Sequence, residues 1–208
     1  MCGQFFYLGD MIGALDGAGE ASRVRAICAW GKFNELALIL TLRGASLRLK
    51  GKIYRACVQS VLVYGSETWP MKEEDTLRLE RAERAMVRWM CGVTLKNRIP
   101  SERLRSRLGI KGVTDVVRRG RLRWFGHVER KENEEWVSAC RNMEVVGRKG
   151  IGRGRKTWQQ CVDRDMKERC LTKEMAKDRE VWRGCIRGNR PTRARHTVPS
   201  MEKRTLRR

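Results

Sequence analysis

This sequence predicts a mainly α-helical chain: helical bundle-like segments, a short β-hairpin at the start and a disordered basic tail. Three observations carry that expectation. Apolar residues recur at three- and four-residue spacing through most of positions 20–186, the period of a helix with one buried face. Residues suited to starting or stopping a helix stand at the ends of those runs. From Arg187 onward there are eight basic residues, one acid and few apolar anchors, a composition that cannot bury enough apolar surface to order itself.

The first segment, "FFYLGDMIGALDG", sets aromatic and branched residues ahead of glycine, with Asp16-Gly17 as the turn dipeptide of a hairpin. A helical pattern runs from Glu20 to Leu42 through Val24, Ile27, Phe33, Leu36 and Leu40. Ser46 is placed to cap a second helix bearing Leu49, Ile53, Val58 and Leu62. "YGSETWP" then interrupts the period as a packed turn around Gly65 and Pro70.

The clearest amphipathic helix follows, "EEDTLRLERAERAMVRWMCG". Leu79, Ala82, Met86, Met90 and Val93 share one face, and Arg81, Arg84 and Arg88 lie opposite. Glu73, Glu74 and Asp75 suit its positive N-terminal end and Gly92 its stop. "SERLRSRLG" repeats the style, with Ser101 as cap and Gly109 as stop. In the next helix Val113, Val117, Gly120, Trp124 and Val128 form the expected apolar stripe, with Arg119, Arg123 and Arg130 on another side and His127 between. "GRKGIGRGRK", four glycines and five basic residues in ten positions, reads as a mobile loop able to approach phosphates closely. Thr157 is placed to cap a helix bearing Trp158, Cys161, Val162 and Met166. Thr172 is placed to cap another with Met175, Trp182, Cys185 and Ile186.

Charge dominates the composition. Lys plus Arg is 46 against 24 acids, a net of +22, and residues 73–208 carry +18 of it. Such a surplus points to a polyanion, nucleic acid ahead of anionic lipid. No run approaches the roughly 18 apolar residues of a membrane span, and "MCGQFFYLGD" lacks the basic-then-apolar build of a secretory signal. The eight cysteines are scattered without a CxxC pair. This fits reduced thiols in a cytoplasmic or nuclear, in any case intracellular, protein.

The constellations that could carry catalysis are thin. His127 is one of two histidines; no serine, cysteine or carboxylate pattern makes it part of a triad, and flanking arginines favour its neutral ring. Packing or a phosphate-facing hydrogen bond is its expected role. Cysteine and histidine spacings do not match a zinc site, and no GxxxxGK[ST] phosphate loop occurs. The acidic groupings Glu73-Glu74-Asp75 and Asp163/Asp165 fall within helical charge patterns, where solvated ion pairs are expected instead of metal ligation. What remains is arginine interleaved with aromatics, suited to clamping phosphates and stacking bases. The candidate contacts are Arg81, Arg84, Arg88, Arg119, Arg123 and Arg130, with Arg148, Lys149, Arg153, Arg155 and Lys156 of the glycine-rich loop. No catalytic residue, metal or cofactor is expected.

Several segments in order, "YLGD", "LKGKIYRACVQSVLVYGSETWPM", "RWMCG", "RLRWFGHVER" and "GRGRKTWQQCVDRDM…DREVWR", resemble reverse transcriptases of non-LTR (LINE-like) retrotransposons. The likeness covers Phe6 to Arg183 and corresponds to the thumb and helical C-terminal extension that follow the polymerase palm. It implies a division into a thumb-like helical region with its hairpin remnant (1–95), a basic helical extension (96–186) and a tail (187–208). The family's aromatic-Ala-Asp-Asp turn, fingers, endonuclease and terminal zinc knuckle have no counterpart here, and Asp10 stands where relatives often have Ser. The resemblance therefore implies a nucleic-acid-binding fragment that does not polymerise by itself. Its partners would be RNA or DNA held through phosphates, together with the absent palm, and no membrane. Two other readings are a subunit or piece of an active RNA-directed DNA polymerase, and an inert relic that binds polyanions indiscriminately.

Overall fold

The computed structural model describes residues 4–7, 10–13, 17–131, 136–143, 154 and 156–188. The chain is mainly helical. Strands β1 (Gln4–Tyr7) and β2 (Asp10–Gly13) pair antiparallel, with Tyr7 opposite Asp10. Gly17, expected in the hairpin turn, is instead the first residue of helix α1, after both strands.

Helix α1 (Gly17–Glu35) is followed by the single turn α2 (Ala37–Leu40). The buried face of α1 comprises Ala18, Ala21, Ser22, Arg25, Ala29 and Phe33, where four small residues let neighbouring helices approach. Ile27, expected on that face, points to solvent. Helix α3 (Leu47–Ile53) starts at Ser46, whose hydroxyl accepts from the Leu49 amide at 3.3 Å. It continues through a π-helical stretch, Tyr54–Gln59, into α4 (Ser60–Leu62). The wider π turn carries Tyr54, Val58 and Gln59 inward with Leu62, while Leu49 is exposed. Gly51 lies so close to the chain at Leu108 that a Cβ would overlap the Leu108 carbonyl. Only glycine permits that backbone approach.

Helix α5 (Glu73–Met90) buries Leu79, Ala82, Met86, Val87 and Met90. Its acidic start serves as a helix start: the Asp75 carboxylate accepts from the Lys72 amide at 3.0 Å. Gly92, at φ +62°, turns the chain out of the helix. Helix α6 (Ser101–Leu108) begins with Ser101 as its first residue, Pro100 occupying the cap position, and Gly109 ends it at φ +69°. Helix α7 (Val113–Glu129) follows, then α8 (Trp136–Asn142) and α9 (Trp158–Glu168). Thr157 accepts from the Gln160 amide at 3.2 Å while Gln160 accepts from the Thr157 amide, a reciprocal cap. The last helix, α10 (Arg179–Arg187), is capped by Asp178, which accepts from Glu180 and Val181. Thr172 does not cap it, because a short 3₁₀ turn, Glu174–Ala176, intervenes.

Two apolar cores result. The first gathers Phe33, Leu40, Tyr54, Val58, Leu62, Met86, Met90, Leu104, Leu108, Val113 and Val117 from α1 to the first half of α7. The second packs Leu122 and Phe125 of α7 with Val162, Met166, Ala176, Trp182 and Ile186. Helix α7 belongs to both. The turn after α4 ties α9 to the first core: Trp158 donates its indole N–H to the Glu67 carbonyl at 2.7 Å, and Cys161 lies 3.7 Å from the Met71 carbonyl.

Each core contains a charge. Glu83 of α5 is fully buried; it accepts from the Val113 amide (3.1 Å), Gln59 (3.1 Å) and Arg105 (3.3 Å). Burial pushes its carboxyl above the usual glutamate range, while the Val113, Arg105 and Gln59 contacts pull the other way. Arg121 of α7 is equally buried and donates to Asp165 of α9 at 2.6 Å. The stripe expected on α7 is buried at Val113, Val117 and Val128, but Trp124 is 38% exposed, and Arg121, Leu122 and Phe125 face inward beside it. Asp165, expected to be solvated, is completely buried.

Candidate nucleic-acid interface

The sequence-predicted contacts fall into three groups. Arg81, Arg84 and Arg88 occupy one face of α5, since positions 81, 84, 85, 88 and 89 recur at helical spacing. Arg81 and Arg84 are exposed, and among the described residues neither pairs with a carboxylate. Arg88 is half-buried and donates to the carbonyls of Thr94 (3.1 Å) and Ile99 (2.8 Å). It pins the segment after α5 against the helix, which is a structural job as well as a source of positive charge.

Between that helix face and that segment lies an open depression of about 610 Å³, lined by Arg81, Arg84, Ala85, Arg88, Trp89, Gly92, Val93, Thr94 and Leu95. Trp89 is 50% exposed and Leu95 74%. The Trp89 ring packs in tilted contact with Phe33 (centroids 5.4 Å apart) and Trp30 (6.4 Å) of α1. Sequence reasoning missed Trp89 and Leu95. By helical spacing Trp89 stands at the border of the two faces of α5, seven residues after Ala82 of the buried face and eight after Arg81.

The second group is on α7. Arg119, Arg123 and Arg130 share one face by spacing, and only Arg123 is exposed. The Nε of Arg119 is buried and finds no hydrogen-bond partner among the described residues. Desolvation first, and then the nearby Arg119 charge, lower the affinity of Lys111 for its proton. Arg130 donates to the Ala176 carbonyl at 2.6 Å, and desolvation followed by the charges of Arg179 and Arg183 disfavours its protonated form. Positive charge is crowded there. His127 is exposed and stacks on Trp124 with centroids 5.4 Å apart.

The third group is the glycine-rich loop. Arg148, Lys149, Arg153 and Arg155 lie outside the described residues. Lys156 lines a cavity of about 470 Å³ with Arg118, Arg121 and Arg164, opposite Glu73 and Glu80. Here the arginines are engaged: Arg118 meets Glu168 at 2.9 Å and Asp165 at 3.8 Å. The structure gathers the α5 residues at one depression and sets Lys156 in a different cavity.

Among the described residues, no cluster of three or more His, Cys, Asp or Glu side chains could hold a metal, and no helix is long and apolar enough to cross a membrane. Comparison with known proteins gives a distant likeness. Over 198 residues the chain is 23% identical to a Caenorhabditis elegans protein described as transposon-derived and uncharacterized, covering 89% of this chain and 71% of that one. No protein-family model matches, and no solved structure is significantly similar.

Proposed function

We propose that this chain is the nucleic-acid-gripping C-terminal part of a retrotransposon reverse transcriptase, comprising thumb-like and extension helices without a catalytic palm. The observation that carries the binding reading is the pair Arg81 and Arg84: exposed, free of carboxylate partners among the described residues, on a chain of net charge +22. Guanidinium groups so placed can take phosphate oxygens in a fork. The retroelement reading rests on the ordered motifs given above and on the likeness to a transposon-derived protein. The partner is RNA or DNA, gripped through phosphates, and the chain does not polymerise alone.

A salt titration tests the binding. Affinity for nucleic acid falls steeply with salt, and Arg81→Ala with Arg84→Ala together lower the slope of log K against log salt by roughly 1.4–1.8, about 0.7–0.9 for each lost phosphate contact. An unchanged slope overturns the assignment of those residues. Clear primer extension by the isolated chain with Mg²⁺ and deoxynucleotides overturns the non-catalytic reading. Equal affinity and equal slope for structured element RNA and random RNA favour the inert relic.

A further inference from the structure

We infer that the depression beside α5 takes an unpaired nucleotide of a single strand, with Trp89 as the stacking platform and Arg81 and Arg84 holding the flanking phosphates. The inference rests on the nucleic-acid-binding reading above and narrows it to single-stranded ligand.

Three features of the site fit this occupant together. First, the charge and the apolar surface are adjacent. Arg81 and Arg84 line the depression together with Ala85, Trp89, Val93 and Leu95, so the complementary ligand carries anionic and flat apolar parts side by side. A nucleotide with an unstacked base has that composition; in a duplex the base faces are covered by their neighbours. Second, Trp89 is held in advance. Phe33 and Trp30 pack against the indole in tilted contacts, and half of the residue is left open to solvent. A ring already fixed by its neighbours loses little conformational freedom on stacking. Third, the opposite wall is built rather than loose. Arg88 bonds the Thr94 and Ile99 carbonyls, Asn97 accepts from the Thr94 amide at 2.8 Å and from its hydroxyl at 3.0 Å, and Gly92 supplies the positive-φ turn. These bonds keep Leu95 beside the depression.

The spacing agrees. At about 1.5 Å per residue, Arg84 lies about 7.5 Å from Trp89 along α5 and Arg81 about 12 Å. A base on Trp89 therefore leaves its 5′ or 3′ phosphates within reach of long, flexible arginine side chains. The exposed residue is also the wrong kind for a merely solvated helix face, where arginine and small residues would serve.

The experiment measures binding of the full chain, by fluorescence anisotropy, to a labelled oligodeoxythymidylate of about 12 nucleotides. A same-length strand with abasic sites and a duplex of equal phosphate content are measured beside it. The intact strand is expected to bind about tenfold more tightly than the abasic strand. Trp89→Ala should erase that difference while leaving duplex binding within about twofold, and Trp89→Phe should keep most of it. Equal affinity of the wild-type chain for intact and abasic strands overturns the inference, and is the result expected if an apolar protein surface is the true occupant. Because the abasic comparison changes only the ligand, it decides the matter even where Trp89→Ala fails to fold. Binding to the duplex without discrimination between single strands leaves the nucleic-acid reading standing; failure to bind any of the three at low salt defeats both.

Discussion

Helices α5 and α7 are nearly the same length, 18 and 17 residues, and each carries a row of arginines, yet they use charge in opposite ways. Helix α5 turns a carboxylate inward, Glu83, and leaves Arg81 and Arg84 in solvent. Helix α7 turns a guanidinium inward, Arg121, and joins Arg118 to Glu168 and Asp165. The α5 carboxylate organises elements on three sides through the Val113 amide, Gln59 and Arg105. The α7 guanidinium braces one helix, α9, through Asp165. An arginine whose charge is already balanced inside the protein has little to offer a phosphate. The two helices therefore divide the labour, α7 holding the two cores together and α5 presenting charge outward.

The sharpest way to break this contrast is Asp165→Ala. It leaves Arg121 buried without its carboxylate and is expected to cost about 3–5 kcal/mol in a urea melt. Replacing both members by apolar residues of similar volume should recover most of that loss; a single-mutant cost below about 1 kcal/mol would mean Arg121 is readily hydrated. Next, Gly51→Ala drives a methyl group into the Leu108 carbonyl and should cost about 1–3 kcal/mol, occasionally more, because backbone on both sides must separate. An unchanged melt would show that α3 and α6 slide apart freely.

A smaller effect sharpens the α5 side. Burial holds the Glu83 carboxyl above the ordinary value of 4.5, so the folded chain binds its proton more readily than the unfolded one. The resulting stability is fully present below that ordinary value and is lost as pH rises through the elevated native one. Wild-type stability should accordingly decline relative to Glu83→Gln from acid toward neutral pH. Parallel pH profiles would remove burial as the governing cause. Smallest of all, Arg84→Ala should change stability by no more than about 0.5 kcal/mol, as expected of a surface side chain with no internal partner. A larger loss would give Arg84 an internal role and weaken the division between the helices.

Much of the fold could be read from local chemistry. The α5 face, the Ser46 and Thr157 caps and the Gly92 and Gly109 stops all depend on residues within four positions of one another, and short-range rules reach that far. What escaped depended on distant partners. On α7 Val113, Val117 and Val128 are core as their spacing implies, but Trp124 is exposed, and Arg121 is buried with Phe125 because it meets Asp165, forty-four residues on. The same contact takes Asp165 out of solvent. Ile27 and Leu49 were misplaced because small residues and a π turn, not the periodic aliphatic ones, set the inner faces of α1 and α3. Thr172 lost its cap role to Asp178, since a 3₁₀ turn delays α10. At the candidate site the arginines of α5 were legible from spacing. Trp89 was not, because tryptophan is ordinarily counted with the core, and its half-exposed place beside Trp30 and Phe33 depends on how α1 packs against α5.

Helix α7 threads both cores, Val113 and Val117 in the first and Leu122 and Phe125 in the second. It works as a common axle. Neither half can melt without withdrawing support from one end of the same rod, so the α7 amides should be the slowest to exchange with deuterated solvent, opening only with the whole molecule. The junction between the cores, near Gly120, is then the place where a helix-breaking substitution would uncouple one cooperative transition into two.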